Sequence, residues 1–202
     1  MLKNVVLVAN LAEDIPVLDM DYVGIDRGAL RLAEQGIHMK FAIGDFDSIS
    51  DAERKLVAAF AEEVIQLNSM KDSSDSQIAI EECIERGYTN GVFYGALGRR
   101  LDHQYVNQKL CMLDEFDCTC IDTFNKMYSL NKGSHTIDKL DYTYCSFFAI
   151  EDAVVTLEGF KYPLNEYFIS TKNLIGLSNE ILDKHAVIHV LQGKVLCIQS
   201  KD

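Results

Sequence analysis

The chain has 202 residues, 48% hydrophobic and 25% charged, with 12 Gly, 2 Pro, 6 Cys and no Trp, a make-up that excludes disordered and collagen-like classes. Its formal charge of −12 argues against a protein that coats nucleic acid, because neutralising phosphate needs a basic surface, and no stretch approaches the ~20 apolar residues of a membrane span. The length allows one large domain or two small ones whose cores need no disulfides, so cysteines at 83, 111, 118, 120, 145 and 197, without a Cys-x-x-Cys pair, read as reduced core thiols.

In chain order, MLKNVVLVAN has one Lys and a short apolar-leaning run without a long greasy region or cleavage site, so it reads as a first strand near 4–9 rather than a signal peptide, and a cytoplasmic protein is expected. Further strands are predicted near 22–26, 39–43, 64–67, 91–95 and 118–121. Between them lie three helical stripes: Leu56, Val57 and Phe60; Ala79, Ile80, Cys83 and Ile84; Val106, Leu110 and Leu113. Ser50 with Glu53 and Ser74 with Gln77 have the spacing of capping boxes. This alternation predicts a Rossmann-like, mostly parallel sheet flanked by helices.

After about 123 the runs are short and β-rich, at 126–130, 143–150, 153–158, 166–170, 186–191 and 194–199, with a turn at Gln192 and Gly193 between the last two. No ordinary helix fits, and an antiparallel sandwich or barrel is predicted. The expected division is an α/β domain over 1–125 and a β-sandwich over 126–202. Residues 1–122 carry 11 Lys+Arg against 22 Asp+Glu, and residues 123–202 carry 8 against 9. Solvated helix faces explain most of that acidity, but several aspartates fall in loops, where a divalent cation can gather them.

Polar clusters follow the predicted strands of the first part, where ligands bind in open α/β sheets. In GIDRGAL, Asp26 ends a strand and Gly28 lets the chain turn tightly into a helix; a plain structural turn fits equally. In IGDFDSIS, Gly44 precedes Asp45 and Asp47, whose mutual repulsion is pointless without a cation. Magnesium, which takes carboxylates and phosphate oxygens, suits them, although a turn residue and a solvated loop charge would look the same. In MKDSSDSQIAI, Asp72 and Asp75 flank Ser74 and follow Lys71; an acid in a helix's first turn is common for dipole reasons alone, and a cation shared with Asp45 and Asp47 is what raises it. GALGRRLDHQYVNQ brings Gly95, Gly98 and Arg100 to a helix whose first turn holds Asp102 and His103, an anion site suited to polyphosphate. Neither GxGxxG nor a P-loop occurs. Cys118 and Cys120 alternate on one strand, as two small core residues or a redox pair.

GIDRGAL, GDFDSIS, KDSSDSQIAI, GALGRRLDH, GFKYPL and GLSNE, in this order, resemble the thiamine pyrophosphokinase family over nearly the whole chain. The resemblance implies an α/β ATP-binding domain followed by a thiamine-binding β-sandwich in a homodimer, with ATP and thiamine as substrates and Mg2+ as cofactor. It implies that Asp26, Asp45, Asp47 and Asp75 gather around the metal and the ATP phosphates, that Arg100 contacts phosphate beside Asp102, and that Ser178 and Asn179 lie by the thiamine pyrimidine. The wider binding set is Gly28, Gly44, Ser48, Lys71, Asp72, Gly95, Gly98, His103 and Tyr162. Asp75, Arg100 and Asp102 carry the expected catalytic roles, with Asp75 or Asp102 orienting or deprotonating the thiamine hydroxyl. Departures from the family pattern are Leu30 at a polar position, Arg99 at a frequent glycine, and Tyr162 where some members have Trp. Two other readings compete. A metal-dependent nucleotide-sugar transferase explains GDFDSIS but not GALGRRLDH, and a non-catalytic nucleotide- or thiamine-binding regulator could use the same scaffold.

Overall fold

Runs of apolar residues between turn formers make the strands of the first half: β1 (Asn4–Val8), β2 (Asp21–Ile25), β3 (Phe41–Gly44), β4 (Val64–Gln66), β5 (Asn90–Tyr94) and β6 (Asp117–Ile121). The computed structural model describes residues 3–68 and 72–202, and its chain contacts divide into two units, Met1–Asp122 and Thr123–Asp202. In the first unit the strand order is β6-β5-β1-β2-β3-β4, and among the described residues these strands pair in parallel. β1, β2 and β3 are buried almost throughout, as a sheet covered on both faces requires. Helices α1 (Arg27–Glu34), α2 (Asp51–Phe60), α3 (Asp75–Glu85) and α4 (Leu101–Leu110) make the crossovers that follow β2, β3, β4 and β5. The chain runs from β1 outward through β2, β3 and β4, then returns to β1's other side with β5. The strand order therefore reverses between β1 and β5, and ligands of such sheets bind outside the carboxyl ends at that reversal.

The helix starts follow local chemistry. Ser50 caps α2 with both arms of a capping box: the Glu53 N–H donates to Ser50 Oγ at 3.4 Å and the Ser50 N–H to Glu53 Oε2 at 2.6 Å. Ser74 caps α3 with one arm only, because the Gln77 amide donates to Glu81 Oε1 at 2.8 Å instead of reaching back. In α4 the expected stripe fails. Leu113 lies beyond the helix end, Val106 is 37% exposed, and the buried residues are Asn107 and Leu110. The polar Asn107 takes the core-facing place because the loop after β5 needs its amide.

The second unit is antiparallel: β7 (Asn125–Leu130), β8 (Gly133–Asp138), β9 (Tyr144–Glu158), β10 (Leu164–Ile169) and β11 (His185–Ser200), in the order β10-β9-β11-β7, with β8 also on β11. The runs expected at 143–150 and 153–158 are one strand, and so are those at 186–191 and 194–199. Gln192 and Gly193 make no hairpin: both halves of β11 pair with β9, and the register slips between Val190 and Val195. A bulge absorbs residues that look like a turn. β8 was not expected, since among its residues only Ile137 is buried. Phe147 and Phe160 meet edge to face at 5.3 Å inside this unit's core. The six cysteines are free and buried. Hydrogen bonds from Cys118 and Cys120 push the Cys111 thiol below its usual range and raise their own.

Candidate active site

Four loops at the carboxyl ends of β1, β2, β3 and β5, with the start of α3, surround a cavity of about 370 Å³ in the first unit. β2 delivers Asp26, whose backbone sits at φ 48 and which caps α1 without using its side chain on that helix. α1 approaches β1 closely: a Cβ on Gly28 would collide with the Val8 carbonyl, so only glycine fits the turn. β3 ends at Gly44, where a Cβ would collide with Asp26 Oδ1. The two loops thus interlock, and the Phe46 N–H donates to Asp26 Oδ1 at 3.4 Å.

Phe46 explains the Asp-x-Asp loop. Its ring is 2% exposed and belongs to the core of this unit, while its backbone is left-handed at φ 51. Arg54 donates to the Phe46 carbonyl at 2.6 Å, and Gln66 donates to the Asp45 carbonyl at 2.8 Å. With the middle residue pinned inward, Asp45 is half-buried and Asp47 exposed. The Asp47 N–H donates to Asp45 Oδ1 at 3.1 Å.

Asp26, Asp45 and Asp75, all half-buried, each offer a carboxylate oxygen within 4.8 Å of the others; Asp47 is not in that group. Two like charges 4 Å apart repel by about 4 kcal/mol at an effective dielectric constant of 20, so three carboxylates from three loops are arranged for a positive charge. Hard oxygen donors suit Mg2+, which usually takes one or two carboxylates directly and completes its shell with water and phosphate.

The opposite wall is the loop after β5. Gly95, Gly98, Arg99, Arg100 and His103 line the cavity. Asn107 Nδ2 donates to the Ala96 carbonyl at 2.7 Å, and the Gly98 N–H donates to Gln104 Oε1 at 3.2 Å, so α4 holds this loop from beneath. Arg100 grips Asp102 with two bonds, Nε to Oδ1 at 3.2 Å and Nη2 to Oδ2 at 2.6 Å. That guanidinium, followed by the His103 N–H, pulls the exposed Asp102 carboxyl down to about 2. Ser48 lies on the rim, its carbonyl accepting from Arg27 Nη1 at 3.2 Å. Asp72 is exposed, and Lys71 lies outside the described residues.

Tyr162, Ser178 and Asn179 belong to the second unit and cluster there. Asn179 is 5% exposed; it donates to the Tyr162 carbonyl at 2.8 Å and accepts from the Tyr162 N–H at 3.0 Å. Ser178 is exposed, at φ 56, with its N–H on Ser146 Oγ at 2.9 Å. Six polar cavity residues were not among the expected site residues: Asn10, Arg27, Ser74, Ser76, Arg99 and Asn107. Asn10 was legible by position, since it closes the apolar run of β1 as Asp26 closes that of β2.

Comparison with known proteins gives this geometry a family. A model described as thiamin pyrophosphokinase, catalytic domain, matches residues 20–121, and one described as thiamin pyrophosphokinase, vitamin B1 binding domain, matches residues 134–195. The chain is 29% identical over 187 residues to a thiamine pyrophosphokinase of Bacillus subtilis, covering 90% of this chain and 87% of that one. Among solved structures, a thiamine pyrophosphokinase from Bacillus subtilis superposes with a TM-score of 0.88 at 29% identity, over 99% of this chain and 100% of that one. A thiamin pyrophosphokinase family protein from Enterococcus faecalis gives 0.86 at 30% identity over 100% of both. With both of its parts matched in sequence order and its whole length in three dimensions, the chain belongs to the thiamin pyrophosphokinase family.

Proposed function

We propose that the cavity of the first unit takes ATP as its magnesium complex and that the second unit presents thiamine, whose hydroxyl attacks the β-phosphorus in line while AMP leaves. Membership of a kinase family with a vitamin B1-binding part supports both substrates. The observation that carries the reading is the convergence of Asp26, Asp45 and Asp75, from three separate loops, on one point, with Asp26 and Asp75 also lining the cavity.

The donor set fits magnesium, which Asp26, Asp45 and Asp75 would hold; the ion would offset charge on the phosphate oxygens. The chain's own groups do the rest. Gly95 and Gly98 keep the loop after β5 free of side chains, so its backbone can lie along the polyphosphate, and the N-terminus of α4 faces the same space. Arg100 supplies a planar cation for the non-bridging oxygens. Asp102, held to about 2 by Arg100, is a weak proton acceptor and serves as the anchor of that arginine. Asp75 is then the better candidate to orient the thiamine hydroxyl. In the second unit Ser178 and Tyr162 are the exposed groups that meet thiamine, and the buried Asn179 positions Tyr162.

A homodimer completes the reading. Phe168, Leu174, Ile175, Leu177 and Leu182 are each more than half exposed on the second unit, and a subunit contact there would take them out of water. Sedimentation should give twice the chain mass. Six thiols without a disulfide suit a reducing compartment such as the cytoplasm, and among the described residues no helix is long and apolar enough to cross a membrane.

The decisive assay is incubation with thiamine and Mg-ATP, following thiamine diphosphate and AMP. Chelation of magnesium should abolish turnover, and Asp45→Asn should lower kcat/KM by about 100-fold or more, the size of a lost electrostatic contact in a transition state. Tight binding of ATP and thiamine without AMP release would instead make the protein a regulator.

A further inference from the structure

We propose that Cys111, Cys118 and Cys120 form a buried site for one soft divalent cation of the zinc class, separate from the acidic site that suits magnesium. α4 ends at Leu110 and Cys111 is its C-cap. Cys118 and Cys120 are two apart on β6 and so lie on one face of it. The three sulfurs lie within 4.8 Å of one another, Cys111 Sγ to Cys120 Sγ being 3.0 Å. Cys111 and Cys120 are fully buried and Cys118 is 2% exposed.

Core packing alone asks only for small apolar side chains at these places, and alanine or valine would serve. It does not ask that three sulfurs from a helix end and a strand point at one another. A zinc-class ion in tetrahedral geometry with thiolates at about 2.3 Å sets the sulfurs about 3.8 Å apart and leaves its fourth place to water. The three sulfurs, all within 4.8 Å of one another, are near that spacing, and the Cys111–Cys120 edge must open from 3.0 Å by about 0.8 Å. A disulfide between those two would leave Cys118 unused, whereas a cation uses all three.

Softness and charge choose the ion. Thiolate sulfur selects zinc-class or copper(I) ions over magnesium. Three thiolates with a divalent ion leave one negative charge, and with a monovalent ion two; burial favours the smaller residue. Binding exchanges three S–H bonds for three S–metal bonds, releases three protons to solvent and moves no electrons. The ion would tie the C-terminal end of α4 to β6, and the other end of α4 carries Arg100, Asp102 and His103.

The test is titration of the reduced, metal-free full-length protein with Cd2+ in excess Mg2+, reading sulfur-to-metal charge-transfer absorption. One equivalent should bind per chain, and Zn2+ added beforehand should compete, so that more Cd2+ is needed to develop the band. Cys118→Ser should weaken binding by about 100-fold or more, while Cys83→Ser and Cys145→Ser, outside the cluster, should leave it unchanged. X-ray absorption of the zinc-loaded wild-type protein, which needs no variant to fold, should find three sulfurs at about 2.3 Å. Absence of the band, equal uptake by Cys118→Ser, uptake of copper(I) alone, or a zinc shell of oxygen and nitrogen would overturn the proposal.

Discussion

Gly44 shows how one missing Cβ sets the acidic site. The space that a side chain would fill is taken by the Asp26 carboxylate, so Gly44→Ala must displace Asp26 or the backbone of β3. The expected result is a fall in kcat/KM of about tenfold, or ~1.4 kcal/mol, with more magnesium needed for half-maximal rate, read from rates across a magnesium series. Asp102 gives a prediction of opposite kind. Its carboxyl is depressed from 3.8 to about 2 by Arg100 and then by the His103 N–H. A depressed acid contributes its interaction above the unfolded pKa and loses it as pH falls through the folded one. Asp102 therefore stays ionised throughout the neutral range. Asp102→Asn should lower kcat by freeing Arg100 yet leave the acid limb of the pH–rate profile where it was; a shifted limb would refute this. The sequence shows that Asp45 and Asp47 are paired in the chain, but it does not show that they part. That outcome depends on Phe46 burying its ring between them, and an alternation of acid, aromatic and acid is silent about which residue the core takes.

At the scale of elements, the caps separate fold from site. Ser50 starts a helix with both arms of its box in place, and Ser50 does not line the cavity. Ser50→Ala should cost about 1 kcal/mol of stability in denaturant unfolding and leave turnover intact. Ser74→Ala removes a similar cap, but Ser74 and the adjoining Asp75 both line the cavity, so stability and turnover should fall together. The strands of the first unit were legible to within about two residues: β1, β2 and β3 are apolar runs closed by a polar residue, and β6 alternates buried cysteines with polar neighbours. In the second unit β9 and β11 each read as two strands. Glu151 with Asp152, and Gln192 with Gly193, are turn formers in sequence, but the neighbouring strand continues past them and the chain bulges instead of reversing. Pairing partners of that kind are remote in the chain, so local pattern cannot supply them.

For the whole molecule, the uneven charge is the most general trace of function in the sequence: residues 1–122 hold 22 of the 31 acidic side chains, and three of them bring carboxylate oxygens within 4.8 Å of one another. Bringing like charges together opposes folding of that unit, so a cation that binds there binds the folded chain and scarcely the unfolded one. Such a ligand stabilises by RT ln(1 + [L]/Kd), about 2.7 kcal/mol at a hundred times Kd. For a chain of this size each kcal/mol moves Tm by about 2–4 °C. Saturating magnesium should therefore raise Tm by about 5–10 °C, with the rise growing with the logarithm of its concentration above Kd. Calorimetry of wild-type protein and Asp45→Asn across a magnesium series checks this. The variant should begin with a higher Tm in chelator, since one of three repelling charges is gone, and should gain far less from the metal. Equal gains in both proteins would mean that magnesium acts elsewhere on the acidic surface and that the three loops converge for another reason.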